Sequence, residues 1–216
     1  TAGSLADAKA LWDQGKRDLR IFLPVGIFAM QVVTRADAPI NKWSDLDKKA
    51  VSIGSPGFIA NAMARMLFKE LGISPSKIIE LGHRDSMDQL IIGSIDAYIF
   101  TGLPNPTVAE YAVKHSLKIV PPASDEIEKI KKVAGKYGYV VTHIDLRGEK
   151  FYKGVDVEFD TLADFGLLFT TPRLPQDIGY KLVKNYWENK KIAAQLYVQH
   201  DWFKPRDLIE TSLSTG

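Results

Sequence analysis

The sequence predicts an α/β protein built as two lobes, and three observations carry that prediction. Strand candidates alternate with helical stripes from about residue 50 to residue 143, the pattern of a doubly wound sheet covered on both faces. Two long apolar strands, Ile21 to Arg35 and Val155 to Thr171, flank this middle stretch. The composition is that of a folded chain, with 45% hydrophobic, 25% charged and 10% aromatic residues over 216 positions.

The first long strand, Ile21 to Arg35, contains Pro24 and Gly26 in an apolar run about half as long as a membrane-spanning helix needs. Ala50-Val51-Ser52-Ile53 is a short strand that turns through Gly54-Ser55-Pro56-Gly57 into a helix. Ile59, Met63, Met66, Leu67 and Leu71 recur there at helical spacing, and Gly72 stands where a left-handed cap costs least.

Ile78 to Leu81 is the next strand, followed by a helix from about Ser86 to Ile92, with Asp85 or Ser86 as its cap and Gly93 as its stop. Ile95 to Phe100 is a third strand, leading through Thr101-Gly102-Leu103-Pro104-Asn105-Pro106 into a helix that Thr107 caps. Leu117 to Val120 follows, then a lysine-rich helix capped by Ser124, with Ile130 and Val133 as its buried stripe and Lys129 to Lys136 as a solvated face. Tyr139 to His143 closes the alternation, which predicts a mostly parallel sheet.

After the second long strand, Pro172-Arg173-Leu174-Pro175 opens onto helices at Gln176 to Glu188 and Lys190 to Gln199. Ile178, Leu182, Val183 and Trp187 recur there at core-face spacing. The expected division is an outer lobe of residues 1–37 and 156–216 and an inserted lobe of residues 38–155. Crossings near Asp37 to Lys42 and Arg147 to Val155 would form a two-stranded hinge.

Charge and motifs exclude several functions. Lys and Arg total 28 against 26 Asp and Glu, a net +2 with no concentrated basic footprint, so no nucleic-acid partner is expected. With no cysteine there is neither a disulfide nor a thiolate nucleophile. His83, His115, His143 and His200 lie far apart without metal-ligand spacing, so no metal and no cofactor is expected. His83-Arg84-Asp85 echoes a kinase triplet, but Leu90 stands where the metal-binding asparagine belongs. Walker, Rossmann and nucleophile-elbow spacings are absent around Gly54 to Gly57, and no catalytic residue is expected.

Two loops remain as ligand sites, because open α/β sheets bind beyond the carboxyl ends of their strands. Gly54-Ser55-Pro56-Gly57-Phe58 lets backbone amides at a helix start meet an anion. The second loop offers the Thr101 hydroxyl, the Gly102 backbone and the Asn105 amide, stiffened by Pro104 and Pro106. Trp12, Trp43, Trp187, Trp202 and Phe203 are further candidates for a cleft or a partner surface.

Four ordered segments carry a family resemblance. They are Val32 to Asp37 leading to Trp43-Ser44-Asp45-Leu46; Ala50 to Gly57 with the helix through Leu71-Gly72-Ile73; Gly93 to Ala97 with the Thr101 to Pro106 loop; and Tyr152 to Val157 through Leu174-Pro175. In these segments the chain resembles the solute-binding receptors of the TAXI branch of TRAP transporters, extracytoplasmic proteins of the two-lobed type II periplasmic binding protein fold.

The resemblance implies a non-enzymatic receptor that captures a small carboxylate, such as an amino acid or organic acid, and hands it to a membrane permease. It implies a periplasmic location with the signal peptide removed. Carried over, Ser55, Pro56, Gly57, Phe58 and Ile59 would surround the carboxylate-binding helix start, Thr101, Gly102, Pro104 and Asn105 the opposing loop, and Thr161 the hinge.

Two features depart from the family pattern. Phe58-Ile59-Ala60-Asn61 stands where hydroxyl or small residues are usual, which implies a less polar acid. Family members open the outer lobe with a strand and a Gly/Ser/Thr-rich ligand loop that precede anything seen here, so the resemblance implies that an N-terminal piece of that lobe is absent. The competing expectation is an enzyme or an effector-sensing domain on the same fold.

Overall fold

The computed structural model of the protein describes residues 2–4 and 20–196. The chain forms two compact units, residues 1–27 with 164–216 and residues 28–163. It passes between them twice, inside strand β2 (Arg20–Arg35) and inside strand β8 (Glu158–Thr170).

In the first unit, β1 (Ala2–Ser4) pairs antiparallel with the end of β8, Ala2 opposite Leu168 and Ser4 opposite Gly166. Two helices follow, α5 (Gln176–Glu188) and α6 (Lys190–Leu196). The bounds of α5 are those the sequence predicts, but its predicted core face is not buried: Ile178 is 41% and Leu182 46% exposed, with Val183 and Trp187 half-buried. Amphipathic spacing identifies an apolar face without saying what covers it. The predicted end of α6 near Gln199, together with Trp12, Trp202 and Phe203, lies outside the described residues.

The second unit holds β3 (Ala50–Ser52), β4 (Lys77–Ile79), β5 (Ala97–Thr101), β6 (Leu117–Ile119) and β7 (Val140–Asp145). With β2 they make a sheet ordered β6-β2-β5-β3-β4, while β7 pairs antiparallel with the start of β8, from Val140 opposite Ala163 to Asp145 opposite Glu158. β3 runs parallel to β4 and β5, but β2 is antiparallel to both β5 and β6. The sheet is therefore mixed, not mostly parallel. A strand-helix-strand alternation fixes the direction only of strands that a helix joins, and residues 36–49 between β2 and β3 contain only a short 3-10 turn, Trp43–Leu46.

Helices α1 (Ile59–Leu71), α2 (His83–Ile91), α3 (Pro106–Lys114) and α4 (Ser124–Tyr137) cover this sheet. Val32, Val51, Ile53, Ala97 and Ile99 point to one face, where Met63, Ala64, Leu67, Ile130 and Val133 of α1 and α4 complete the core. Alternate residues of β5, Tyr98 and Phe100, point to the other face, toward α2. Burial on both faces is the reason β5 reads as a continuous apolar run.

α1 ends as predicted on Gly72 in a left-handed conformation (φ 70°). The other predicted caps are replaced. α2 begins at His83 with Gly82 before it, and Ser86 instead turns inward to hydrogen-bond Ser52 at 2.8 Å. Asn105, not Thr107, caps α3, its Oδ1 accepting from Val108 N with Pro106 at the first helical position. Ser124 lies inside α4, and the amide of Ala123 donates to the Glu126 carboxylate. Trp43, a predicted cleft residue, is 2% exposed, and its indole N–H donates to the Val120 carbonyl.

Candidate ligand site

The carboxyl ends of the three parallel strands β3, β4 and β5 each feed a loop that opens a helix. These loops are Ser55–Phe58 before α1, Leu81-Gly82 before α2, and Gly102–Asn105 before α3. This is the sheet edge at which open α/β folds bind ligands.

The first loop is exposed at its tip and braced at its root. Pro56 and Gly57 are exposed, Phe58 is 51% exposed and Ser55 half-buried. Gly57 holds φ +82°, a left-handed turn that suits glycine. Asn61 donates to the Gly54 carbonyl at 3.1 Å and to Glu80 at 2.7 Å, and Arg65 closes the group with bonds to Asn61 Oδ1 and Glu80 Oε1. Both bonds to Glu80, with the Arg65 charge nearby, hold its carboxyl below the usual carboxylate range. No side chain caps α1 or α2, so the amides of both first turns keep their dipole for a bound group. Ile59, by contrast, packs against the core.

The third loop is held from behind. Gly102 is buried at φ +101°, and its carbonyl accepts from Gln31 Nε2 at 2.6 Å. Gln31 is fully buried, and among the described residues its Oε1 meets no hydrogen-bond partner. Asn105 is buried too, its backbone N–H donating to the Tyr152 hydroxyl at 2.8 Å. Thr101 and Pro104 are half-buried, and the Leu103–Pro104 peptide bond is cis.

The middle loop was not among the sequence candidates, yet His83 joins the three. Its ring stacks on Phe58 (centroids 6.2 Å apart, planes at 20°) and meets Tyr98 edge-on at 6.1 Å. Its Nδ1 is hydrogen-bonded to the Tyr98 hydroxyl and lies 3.4 Å from Asn105 Nδ2. A Cβ built on Gly82 would meet Ser55 Oγ at 3.9 Å, so the middle loop also touches the first.

The tautomer of His83 follows from its neighbours. Asn105 Oδ1 is committed to Val108 N, so the amide presents its NH2 to the ring and Nδ1 is an acceptor. The Tyr98 hydroxyl must then donate, in keeping with burial pushing its phenol pKa up. Burial holds His83 below the usual imidazole range, so at neutral pH the ring is uncharged with its proton on Nε2.

Of the sequence-predicted residues, the structure brings Ser55, Pro56, Gly57, Phe58, Thr101, Gly102, Pro104 and Asn105 to one sheet edge. Thr161 lies apart from that edge, near the crossings between the units: fully buried on β8, it donates its hydroxyl to the Met30 carbonyl of β2 at 2.7 Å. In the first unit, a separate pocket of about 680 Å³, lined by Arg20, Thr170, Thr171 and Tyr180 among others, holds none of the predicted residues.

This architecture is the α/β fold of type II periplasmic binding proteins. The arginine-, lysine-, histidine-binding protein ArtJ from Geobacillus stearothermophilus superposes with a TM-score of 0.51 at 13% identity, over 89% of this chain and 67% of that one. The probable amino-acid ABC transporter extracellular-binding protein YtmK from Bacillus subtilis gives 0.51 at 13%, over 88% and 67%. A putative L-cystine ABC transporter protein from Listeria monocytogenes gives 0.51 at 15%, over 89% and 67%. By sequence, the chain belongs to the NMT1-like family, which it matches over residues 4–212.

Proposed function

We propose that this chain is an extracytoplasmic solute-binding component of an uptake system, taking a small carboxylate at the sheet edge formed by Ser55–Phe58, His83 and Thr101–Asn105 and delivering it unchanged to membrane permease subunits. The observation that carries this reading is the convergence of three loops, each from a parallel strand, around two helix starts that no side chain caps. Such amides suit a carboxylate and offer no nucleophile, base or metal for turnover. Among the solved structures of like fold, ArtJ is an arginine-, lysine-, histidine-binding protein and YtmK a probable amino-acid ABC transporter extracellular-binding protein.

The four-segment resemblance favours a TRAP permease of the TAXI kind as the partner. The exposed Phe58 ring favours an acid with an apolar portion, since a charged group laid against it would lose water without gaining a partner.

A thermal-shift screen against amino acids, 2-oxo acids, dicarboxylates and aromatic or branched monocarboxylates tests the reading. An acid at about a thousand times its dissociation constant adds roughly 4 kcal/mol, worth on the order of 10 °C in a chain of this size. A shift confined to one class, with the acid recovered intact, supports a receptor; conversion of the acid supports an enzyme. Phe58→Ser should move the preference toward more polar acids, and an unaltered ranking would remove Phe58 from the specificity argument.

A further inference from the structure

We infer that His83 is a specificity-determining residue of this site, its Nε2–H donating to an oxygen of the solute carboxylate while the apolar part of the solute rests against Phe58. This rests on the solute-receptor reading above and adds a residue that the sequence motifs passed over.

The ring is held at Nδ1 and, among the described residues, has no partner at Nε2. Asn105 Nδ2 and the Tyr98 hydroxyl both engage Nδ1, which leaves Nε2 as the only other polar atom of the imidazole. No described residue hydrogen-bonds to Nε2 or pairs with it as a charge, and the ring is half-buried. Such a donor is already oriented, so a ligand that uses it need not order a long side chain first.

Its neighbours define what it would recognise. Phe58 lies across one face of the ring, Ser55 sits beside Gly82, and the uncapped first turns of α1 and α2 add amide dipoles of the same sign. The groups that point to an anion here are the Nε2–H of His83, the helix-start amides and the Ser55 hydroxyl, while Glu80 accepts from Asn61 and Arg65 through Oε1. Those donors suit an anionic oxygen. A neutral donor also accepts a carboxylate without forming an ion pair, so the solute need not carry a second charge to balance the site.

The experiment is calorimetric titration of wild-type protein, His83→Phe and His83→Gln with phenylacetate, leucine and glutamate, with phenylacetamide as the uncharged control. Glutamine keeps an N–H donor at a similar reach, whereas phenylalanine keeps the ring and loses the donor. For whichever acid the wild type binds, His83→Phe should weaken binding by about ten- to a hundredfold while His83→Gln retains most of it. Phenylacetamide, whose neutral carbonyl is a weaker acceptor, should lose clearly less affinity than the acid in His83→Phe.

Equal affinity of wild type and His83→Phe for that acid overturns the role of His83 and leaves the receptor reading standing. Failure of wild type to bind any of the acids overturns both. Imidazole ¹⁵N spectra of the wild type supply a readout independent of variant folding: acid should shift the Nε2 resonance and leave Nδ1 nearly still. An unmoved Nε2 at saturation counts against the inference.

Discussion

Replacing Asn105 by Asp exchanges one atom group and should invert the protonation of His83. In the wild type, the NH2 of Asn105 sits 3.4 Å from His83 Nδ1 and marks that nitrogen as an acceptor. A carboxylate oxygen in its place becomes an acceptor carrying a charge, so Nδ1 gains from being protonated. At 3.4 Å a unit charge is worth about 1 kcal/mol in a water-like medium and about 5 kcal/mol at an effective dielectric of 20. Even the lower figure raises the imidazole pKa by about one unit, against the burial that lowers it in the wild type. Aspartate caps a helix as well as asparagine does, so α3 should keep its start, whereas Asn105→Ala should lose about 1 kcal/mol. Imidazole ¹⁵N titration of wild type and Asn105→Asp reads both the pKa and the tautomer. Superimposable curves would refute the tautomer assignment and the polar contact on which it rests.

Two further outcomes are expected. Glu126 is 3% exposed, and its carboxylate accepts from the backbone amides of Trp43 (3.2 Å), Ser44 (2.5 Å) and Ala123 (2.6 Å). Glu126→Gln turns an NH2 toward at least one of these donors, so it should cost about 2–3 kcal/mol and lower the thermal midpoint by roughly 5–10 °C; a midpoint within about a degree of wild type would contradict this. The histidines should pull stability in opposite directions from their ordinary pKa of 6.5. His83, lowered by burial, contributes stability that is present above pH 6.5 and lost as pH falls through that value toward its folded pKa. His143, raised by its bond to Asp160 and by Glu158, contributes stability that is present below pH 6.5 and lost as pH climbs through its folded pKa. Because the His143 side chain is 55% exposed, that contribution should be a few tenths of a kcal/mol. Denaturant melts of His143→Gln between about pH 6 and pH 8 should therefore show a shallower alkaline decline than wild type.

Much of the fold could be read from local chemistry. The α1 stripe with Gly72 behind it and the bounds of α5 came from helical spacing and terminators, and the two loops after β3 and β5 from glycine and proline at strand ends. What local chemistry does not encode is which strand lies beside which. The direction of β2 depends on pairing with β5 and β6, each more than 60 residues away at its paired positions, as with Val33 opposite Tyr98. The role of His83 at the sheet edge is hidden in the sequence for the same reason. Its partners Tyr98 and Asn105 lie 15 and 22 residues along the chain, and no short motif links the three. Caps were misassigned where several Ser, Thr, Asp or Asn residues stood together, since the side chain that reaches the helix amide depends on where the preceding strand ends. The exposure of Ile178 and Leu182 shows the limit of amphipathic spacing alone.

The bracing of the first loop bears on how this protein could be retargeted. The side chains that hold the loops in place, Asn61, Gln31 and Tyr152, lie beneath them and are buried, whereas Pro56, Gly57 and Phe58 are exposed above. A library confined to Pro56 and Phe58 would therefore vary the surface of the proposed site while leaving its supports intact, and Gly57, with φ +82°, should be kept. At the proposed site, that separation of tips from supporting roots would let selectivity be adjusted by substitution without rebuilding the supports each time.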